Sequence, residues 1–138
     1  MLELLECAGR IDIDQSESPW RVMITTSADS RRLIGVRGAH LQALQHLVRC
    51  IVSRLDSAET LFTLDVNGYR RAHEETMRLM AEKTAAQASR QGRTVVLDPM
   101  SAADRRLIHT ALSTRSDIRT ESLGEEPNRR VVVRPIFL

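Results

Sequence analysis

The sequence predicts an α+β protein made of two small α/β-sandwich domains, residues 1–66 and 67–138. Short segments with alternating apolar residues, typical of strands, occur in both halves. Longer segments with apolar residues at every third or fourth position, typical of helices, lie between them. The pair Asn67-Gly68 is a turn signal between the two sets. In a chain of 138 residues, each domain would be near the lower limit for an independent core.

Composition and charge indicate a folded protein with an uneven charge distribution. Apolar residues make up 42% of the chain, which is too much for a disordered protein. The net charge is +2, but residues 1–66 carry −2 and residues 67–138 carry +4. Lys83 is the only lysine among 20 basic residues. Arginines suit bidentate phosphate contacts, although a genome rich in G and C would produce the same bias.

The two cysteines do not suggest a disulfide framework or a zinc site. Cys7 and Cys50 are far apart in apolar helical patterns, so both are expected to be buried. Neither a signal sequence nor an apolar run long enough for a membrane helix is found. We therefore expect a cytoplasmic protein without cofactor or metal.

In the first half, a short helix over residues 1–8 is followed by two predicted strands, residues 10–14 and 20–25, that form an antiparallel hairpin. Ile11 and Ile13 are expected on the buried face of the first strand.

The longest pattern in this half predicts a helix that begins at Ala39, with a third strand after it over residues 59–66. An apolar stripe along this helix is expected to face the core; it comprises Leu41, Leu44, Val48, Ile51 and Leu55.

A glycine-bounded turn, Gly35-Val36-Arg37-Gly38, precedes this helix. Glycines at both ends allow the backbone to approach a ligand closely, and a helix N-terminus offers unpaired N–H groups with partial positive charge. Such a turn suits a phosphate group, to which Arg37 adds a cation.

The second half predicts helix, strand, helix, strand and strand, over residues 69–90, 94–97, 101–112, 117–123 and 129–134. Ser101 and Asp104 form a capping pair at the start of the second of these helices. On the same helix, Arg105 and His109 are four residues apart and share a face, where they could donate to one anion.

These motifs resemble a known family. The turn Gly35–Gly38, with strands before it and after the following helix, resembles the GXXG loop of a type II K-homology domain, which clamps single-stranded nucleotides. The spacing of Arg105 and His109, followed by Gly-Glu-Glu-Pro and Arg-Arg-Val-Val-Val segments, resembles the Arg-x-x-x-His domain of nucleic-acid-binding proteins. This order of domains is similar to that of the bacterial Jag family, also called KhpB or SpoIIIJ-associated protein.

The resemblance implies a cytoplasmic protein that binds single-stranded RNA, or single-stranded DNA as well, with a role in cell elongation, cell shape and division. It also implies a small K-homology protein as partner, with a homodimer as the other option. Many family members carry a further N-terminal domain and a linker, so we expect either a short form or a piece of a longer protein.

The same resemblance implies the site residues. Gly35, Val36, Arg37 and Gly38 are expected to contact the nucleic-acid backbone, and Arg105 and His109 to contact phosphate. Valine at position 36 departs from the basic or polar residue that many members carry in this loop. Lesser candidates are Arg106, Arg129, Arg130 and Arg134, with Ile24, Ile34 and Leu41 for base contacts and His40 either near the phosphate or on solvated surface.

Two other classes of function compete with RNA binding. A nuclease would use Asp98, Asp104 and His109, but no ligand spacing, P-loop or nucleophile elbow supports an enzyme. A protein-interaction module, whose K-homology domain mainly holds a protein partner, is favoured by Val36 and by the slightly acidic first half.

Overall fold

A computed structural model of the protein describes residues 2, 7–55 and 61–137. The predicted helix over residues 1–8 lies largely outside this range, as do residues 59 and 60 of the predicted third strand. The chain divides into two compact units, residues 1–72 and 73–138. The mixed α+β class is confirmed. The described elements are, in chain order, β1 (Arg10–Asp14), β2 (Trp20–Thr25), α1 (Arg31–Ile34), α2 (Ala39–Leu55), β3 (Phe62–Val66), α3 (Tyr69–Gln91), β4 (Val95–Val96), α4 (Ala102–Leu112), β5 (Ile118–Leu123) and β6 (Arg130–Pro135).

The first unit contains a three-stranded sheet in the order β1-β2-β3. Strand β1 is antiparallel to β2, which confirms the predicted hairpin, and β3 is parallel to β2. Ile24 pairs with Ile11 on one side and with Val66 on the other, so these side chains share one face of the sheet. The core of the unit lies on this face and comprises Cys7, Ile24, Leu33, Leu41, Leu44, Leu64 and Val66.

Two predictions about burial in this unit are wrong. Ile11 and Ile13 are more than half exposed, because β1 is an edge strand and α2 packs against β3. The apolar stripe of α2 is buried at Leu41 and Leu44, but Leu55 is 83% exposed. The buried cluster reaches along α2 as far as Val48, so the last two turns continue the stripe without a core to cover them.

Cys7 is buried as expected, whereas Cys50 is exposed. Cys50 lies on the second half of α2, beyond the part of the helix that contacts the core. The prediction that both cysteines are buried is therefore wrong for Cys50. Among the described residues, no helix combines the length and apolar character that crossing a lipid bilayer requires.

The second unit contains a three-stranded antiparallel sheet in the order β4-β6-β5. Helix α3 ends at Gln91, and Gly92 follows with a positive φ of 61°. Helix α4 begins after Ser101, whose hydroxyl accepts a hydrogen bond from the N–H of Asp104 at 3.1 Å, so the predicted cap is confirmed. Both helices contribute to a core that comprises Ala81, Ala85, Ala88, Ile108, Leu112, Ile118, Val131 and Val133.

Candidate nucleic-acid interface

The glycine loop connects α1 to α2 through a short 3-10 turn at Val36–Gly38. Gly35 and Gly38 have φ angles of 72° and 80°, and Arg37 also lies in the left-handed region with a φ of 53°. A Cβ atom on Gly35 would lie 2.5 Å from Cγ of His40, and one on Gly38 would lie 2.9 Å from Cε1 of Tyr69. Both the backbone conformation and the close neighbours therefore require glycine at the two ends of the loop.

The two middle residues of the loop are exposed, and the Val36 side chain is exposed to 82%. Such an exposed valine contributes nothing to a core, and Arg37 brings a positive charge to the N-terminal end of α2. Because the positive end of the helix dipole lies at the same end, the loop offers a compact, electropositive surface to an anion.

His40, in the first turn of α2, supports the loop from beneath. Its Nδ1 lies 2.9 Å from the carbonyl oxygen of Arg32. Since a carbonyl oxygen only accepts, Nδ1 carries the proton and donates this hydrogen bond. The same ring lies against Gly35. His40 thus ties α1, the loop and α2 together.

On α4, Arg105 is buried and already paired. Its side chain is 7% exposed. Nη1 donates to the carbonyl oxygen of Met100 at 2.7 Å, and Nη2 donates to Oε1 of Glu126 at 2.6 Å. Glu126 lies in the loop between β5 and β6. The anion that Arg105 contacts in this structure is therefore a carboxylate of the protein itself.

One turn further along α4, His109 bridges two hydroxyl groups of β5. Its Nδ1 lies 2.7 Å from Oγ1 of Thr120, and its Nε2 lies 2.8 Å from Oγ of Ser122. Thr120 and Ser122 alternate along β5 on the same face as the buried Ile118. Burial lowers the pKa of His109 below its ordinary value of 6.5, and the positive charge of Arg105 lowers this pKa further. The neutral imidazole is satisfied by one donated and one accepted hydrogen bond.

This arrangement predicts that His109 makes the protein sensitive to acid. Because the pKa of His109 is lower in the folded protein than in the unfolded chain, its contribution to stability is fully present above about pH 6.5 and is lost as the pH falls through the lowered pKa. We expect wild type to lose more thermal stability than His109→Gln between about pH 7.5 and pH 5.5. Thermal unfolding of both proteins across this range measures the difference. Equal losses would contradict the prediction, since His40, His46 and His73 titrate in both proteins.

The lesser candidates differ in exposure. Arg106 and Arg129 are exposed, and Arg130 is half-buried with its Nε donating to the carbonyl oxygen of Asn128 at 3.2 Å. Nε of Arg134 lies 3.4 Å from a carboxylate oxygen of Glu121. A phosphate contact by any of these arginines stays a prediction.

Among the residues predicted to contact bases, Ile24 and Leu41 are wrong. Both are almost completely buried in the core of the first unit, whereas Ile34 is half-buried at the end of α1. Their positions in the apolar pattern indicated burial in a core as well as in a groove, and the core accounts for them.

Three polar partners in the second unit were not identified from the sequence: Thr120, Ser122 and Glu126. Polar residues at two successive inward positions of β5, after the apolar Ile118, were a usable signal for the first two. Glu126 belongs to the Gly-Glu-Glu-Pro segment, but its contact with Arg105 joins residues that are 21 positions apart. Such a contact has no periodicity from which to predict it.

Comparison with known proteins gives a class for the second unit first. Residues 75–135 match the family model of the Arg-x-x-x-His domain, which takes its name from an arginine and a histidine separated by three residues. The domain expected from the sequence is therefore present in this part of the chain, and Arg105 and His109 both lie within it.

The chain is also similar to curated proteins named RNA-binding protein KhpB. The protein of Clostridium symbiosum is 33% identical over 134 residues, which cover 96% of this chain and 60% of the relative. The Bacillus subtilis protein is 33% identical over 129 residues, covering 91% and 62%, and the Lactiplantibacillus plantarum protein is 37% identical over 101 residues, covering 73% and 31%. These names support the resemblance to the Jag family. The chain thus spans less than two thirds of the length of these relatives.

Proposed function

We propose that the chain binds single-stranded RNA through two sites, the glycine loop of the first unit and the exposed side of the Arg105–His109 region of α4. The observation that carries the proposal is the loop geometry. Gly35 and Gly38 have positive φ angles, Val36 and Arg37 are exposed, and α2 begins immediately after Gly38. Backbone phosphates are the anions that such a loop suits.

The first unit is proposed to be a type II K-homology domain. Its strands and helices follow the order that this domain requires, strand, strand, helix, loop, helix, strand, and the glycine loop lies between the two helices. In such a domain, Gly35–Gly38 would contact about four nucleotides of the backbone. The domains proposed on this basis are residues 1–66 and 67–138.

The second unit would add phosphate contacts. Arg105 and His109 are the motif residues, and the nearby Arg106 and Arg130 lie on α4 and β6 of the same unit. Arginines that contact phosphate give affinity that does not depend on the base sequence. Since the relatives are named RNA-binding proteins rather than enzymes, we propose no catalytic step. The wider role in cell elongation and division, the cytoplasmic location and the small K-homology partner are proposed on the Jag resemblance.

RNA binding is tested by fluorescence anisotropy of a labelled, mixed-sequence single-stranded RNA, titrated with wild type at several salt concentrations. Each neutralised phosphate of a single strand contributes about 0.7 to the slope of log K against log salt, so three or four contacts predict a slope of about −2 to −3. Gel analysis of the same RNA after incubation with divalent metal ions tests the absence of cleavage. No detectable binding at low salt would refute the proposal, and progressive cleavage would favour a nuclease.

A second candidate function is a protein-interaction module. It is favoured by the exposed apolar side chains of the first unit, which include Ile11 and Ile13 on the edge strand β1 and Leu47, Ile51 and Leu55 on α2. Pull-down after nuclease treatment separates the two candidates. A protein partner retained after complete RNA digestion supports the interaction module, whereas loss of all partners supports RNA as the bridging molecule.

A further inference from the structure

The starting point is the neutralised state of Arg105. A motif arginine that is to contact a phosphate must present hydrogen-bond donors to it, yet Nη2 of Arg105 donates to Oε1 of Glu126 at 2.6 Å and Nη1 donates to Met100. Because the guanidinium is 7% exposed, it cannot turn out into solvent to meet an RNA strand. An anion that reaches Arg105 must come to the position that the Glu126 carboxylate now occupies.

The two members of this ion pair are unequally held. The Glu126 side chain is 59% exposed and lies in the loop between β5 and β6, whereas Arg105 is anchored on α4 by its second hydrogen bond to Met100. A carboxylate that leaves Arg105 is rehydrated at once, so its departure costs little. A buried guanidinium left without an anion is strongly unfavourable. The pair is therefore built to exchange its anion rather than to lose it.

We propose that the Glu126 carboxylate occupies a phosphate position at Arg105, and that an RNA phosphodiester binds there by displacing it. The inference rests on the proposed RNA-binding function and adds a regulatory element to it. Glu126 lowers the affinity of the Arg105 site for any RNA and prevents weaker anions from occupying it. A phosphodiester prevails when neighbouring contacts, such as those of Arg106, hold the strand in place.

The chain provides a matched control for the test. Glu125 precedes Glu126, carries the same charge and is also exposed. Both Glu126→Gln and Glu125→Gln remove one negative charge from the same loop, so they change the general electrostatic attraction of RNA equally. Glu126→Gln keeps an amide oxygen that can accept from Arg105, so the fold is retained.

The experiment is a titration of labelled single-stranded RNA with wild type, Glu126→Gln and Glu125→Gln at one low salt concentration. We expect Glu126→Gln to bind RNA roughly three- to tenfold more tightly than Glu125→Gln, because a neutral amide competes less strongly for the guanidinium than a carboxylate. Circular dichroism and thermal unfolding of each variant check that the fold is unchanged.

A second pair of variants separates the possible failures. In an Arg105→Gln background, Glu126→Gln should no longer bind more tightly than Glu125→Gln, since the competition requires the guanidinium. If Arg105→Gln weakens RNA binding but Glu126→Gln and Glu125→Gln have equal affinities, the exchange of anions is refuted while RNA binding at Arg105 stands. If Arg105→Gln leaves RNA affinity unchanged, Arg105 is not an RNA contact and the proposed second site itself fails.

Discussion

The double substitution Val36→Asp, Arg37→Asp is expected to abolish binding of single-stranded RNA without unfolding the protein. It removes the cation of the loop and introduces two carboxylates beside the proposed phosphate position, and like charges in contact cost several kcal/mol. Val36 is 82% exposed, and Asp tolerates the left-handed conformation of residue 37 better than most residues do. The fold should therefore persist. Anisotropy titration measures the RNA affinity, and we expect a loss of about a hundredfold or more.

A matched control distinguishes a contact from diffuse charge. Arg54→Asp, Leu55→Asp also replaces an adjacent arginine and an apolar residue, and Leu55 is 83% exposed, close to the value for Val36. These residues lie at the opposite end of α2 from the glycine loop. We expect this control to weaken RNA binding only by the few-fold that a general change in charge produces. Equal losses in the two variants would show that the loop is not a binding site.

The elements of the fold could be predicted because each depends on local patterns. The predicted start of α2 at Ala39 and the cap of α4 at Ser101 agree with the structure. In both cases the signal lies within a few residues of the boundary, a glycine before α2 and a Ser–Asp pair around the first turn of α4. The hairpin of β1 and β2 was equally accessible from alternation.

Burial and pairing were less accessible because they depend on residues distant in sequence. Periodicity identifies which side of β1 carries Ile11 and Ile13, but whether a helix covers that side depends on where α2 packs. For the candidate site, the spacing of Arg105 and His109 predicted a shared helix face. It did not predict that Glu126 would neutralise the arginine or that two hydroxyl groups of β5 would satisfy the histidine. These partners decide how the motif can meet an anion.

Gly35→Ala is expected to destabilise the first unit and to weaken RNA binding together. The backbone at Gly35, with φ 72° and ψ −178°, is in a region that is almost exclusive to glycine. The added methyl group would also lie 2.5 Å from Cγ of His40, so the imidazole must move and its hydrogen bond to Arg32 is disturbed. We expect a loss of about 3 kcal/mol in the free energy of unfolding from strain and overpacking. Denaturant unfolding monitored by circular dichroism measures it.

Gly68→Ala is the matched control, because Gly68 has a similar positive φ of 73° but a Cβ there meets nothing within 4 Å. It should cost about 1 kcal/mol, the penalty of the left-handed backbone alone, and should leave RNA affinity unchanged. Adding His40→Ala removes the steric obstacle, so Gly35→Ala should cost less in that background than in wild type. If Gly35→Ala and Gly68→Ala are equally destabilising, the contact between Gly35 and His40 does not shape the loop. Stability of the unit and affinity for RNA would then have separate origins, since the loop could change its conformation without a penalty from the ring that supports it.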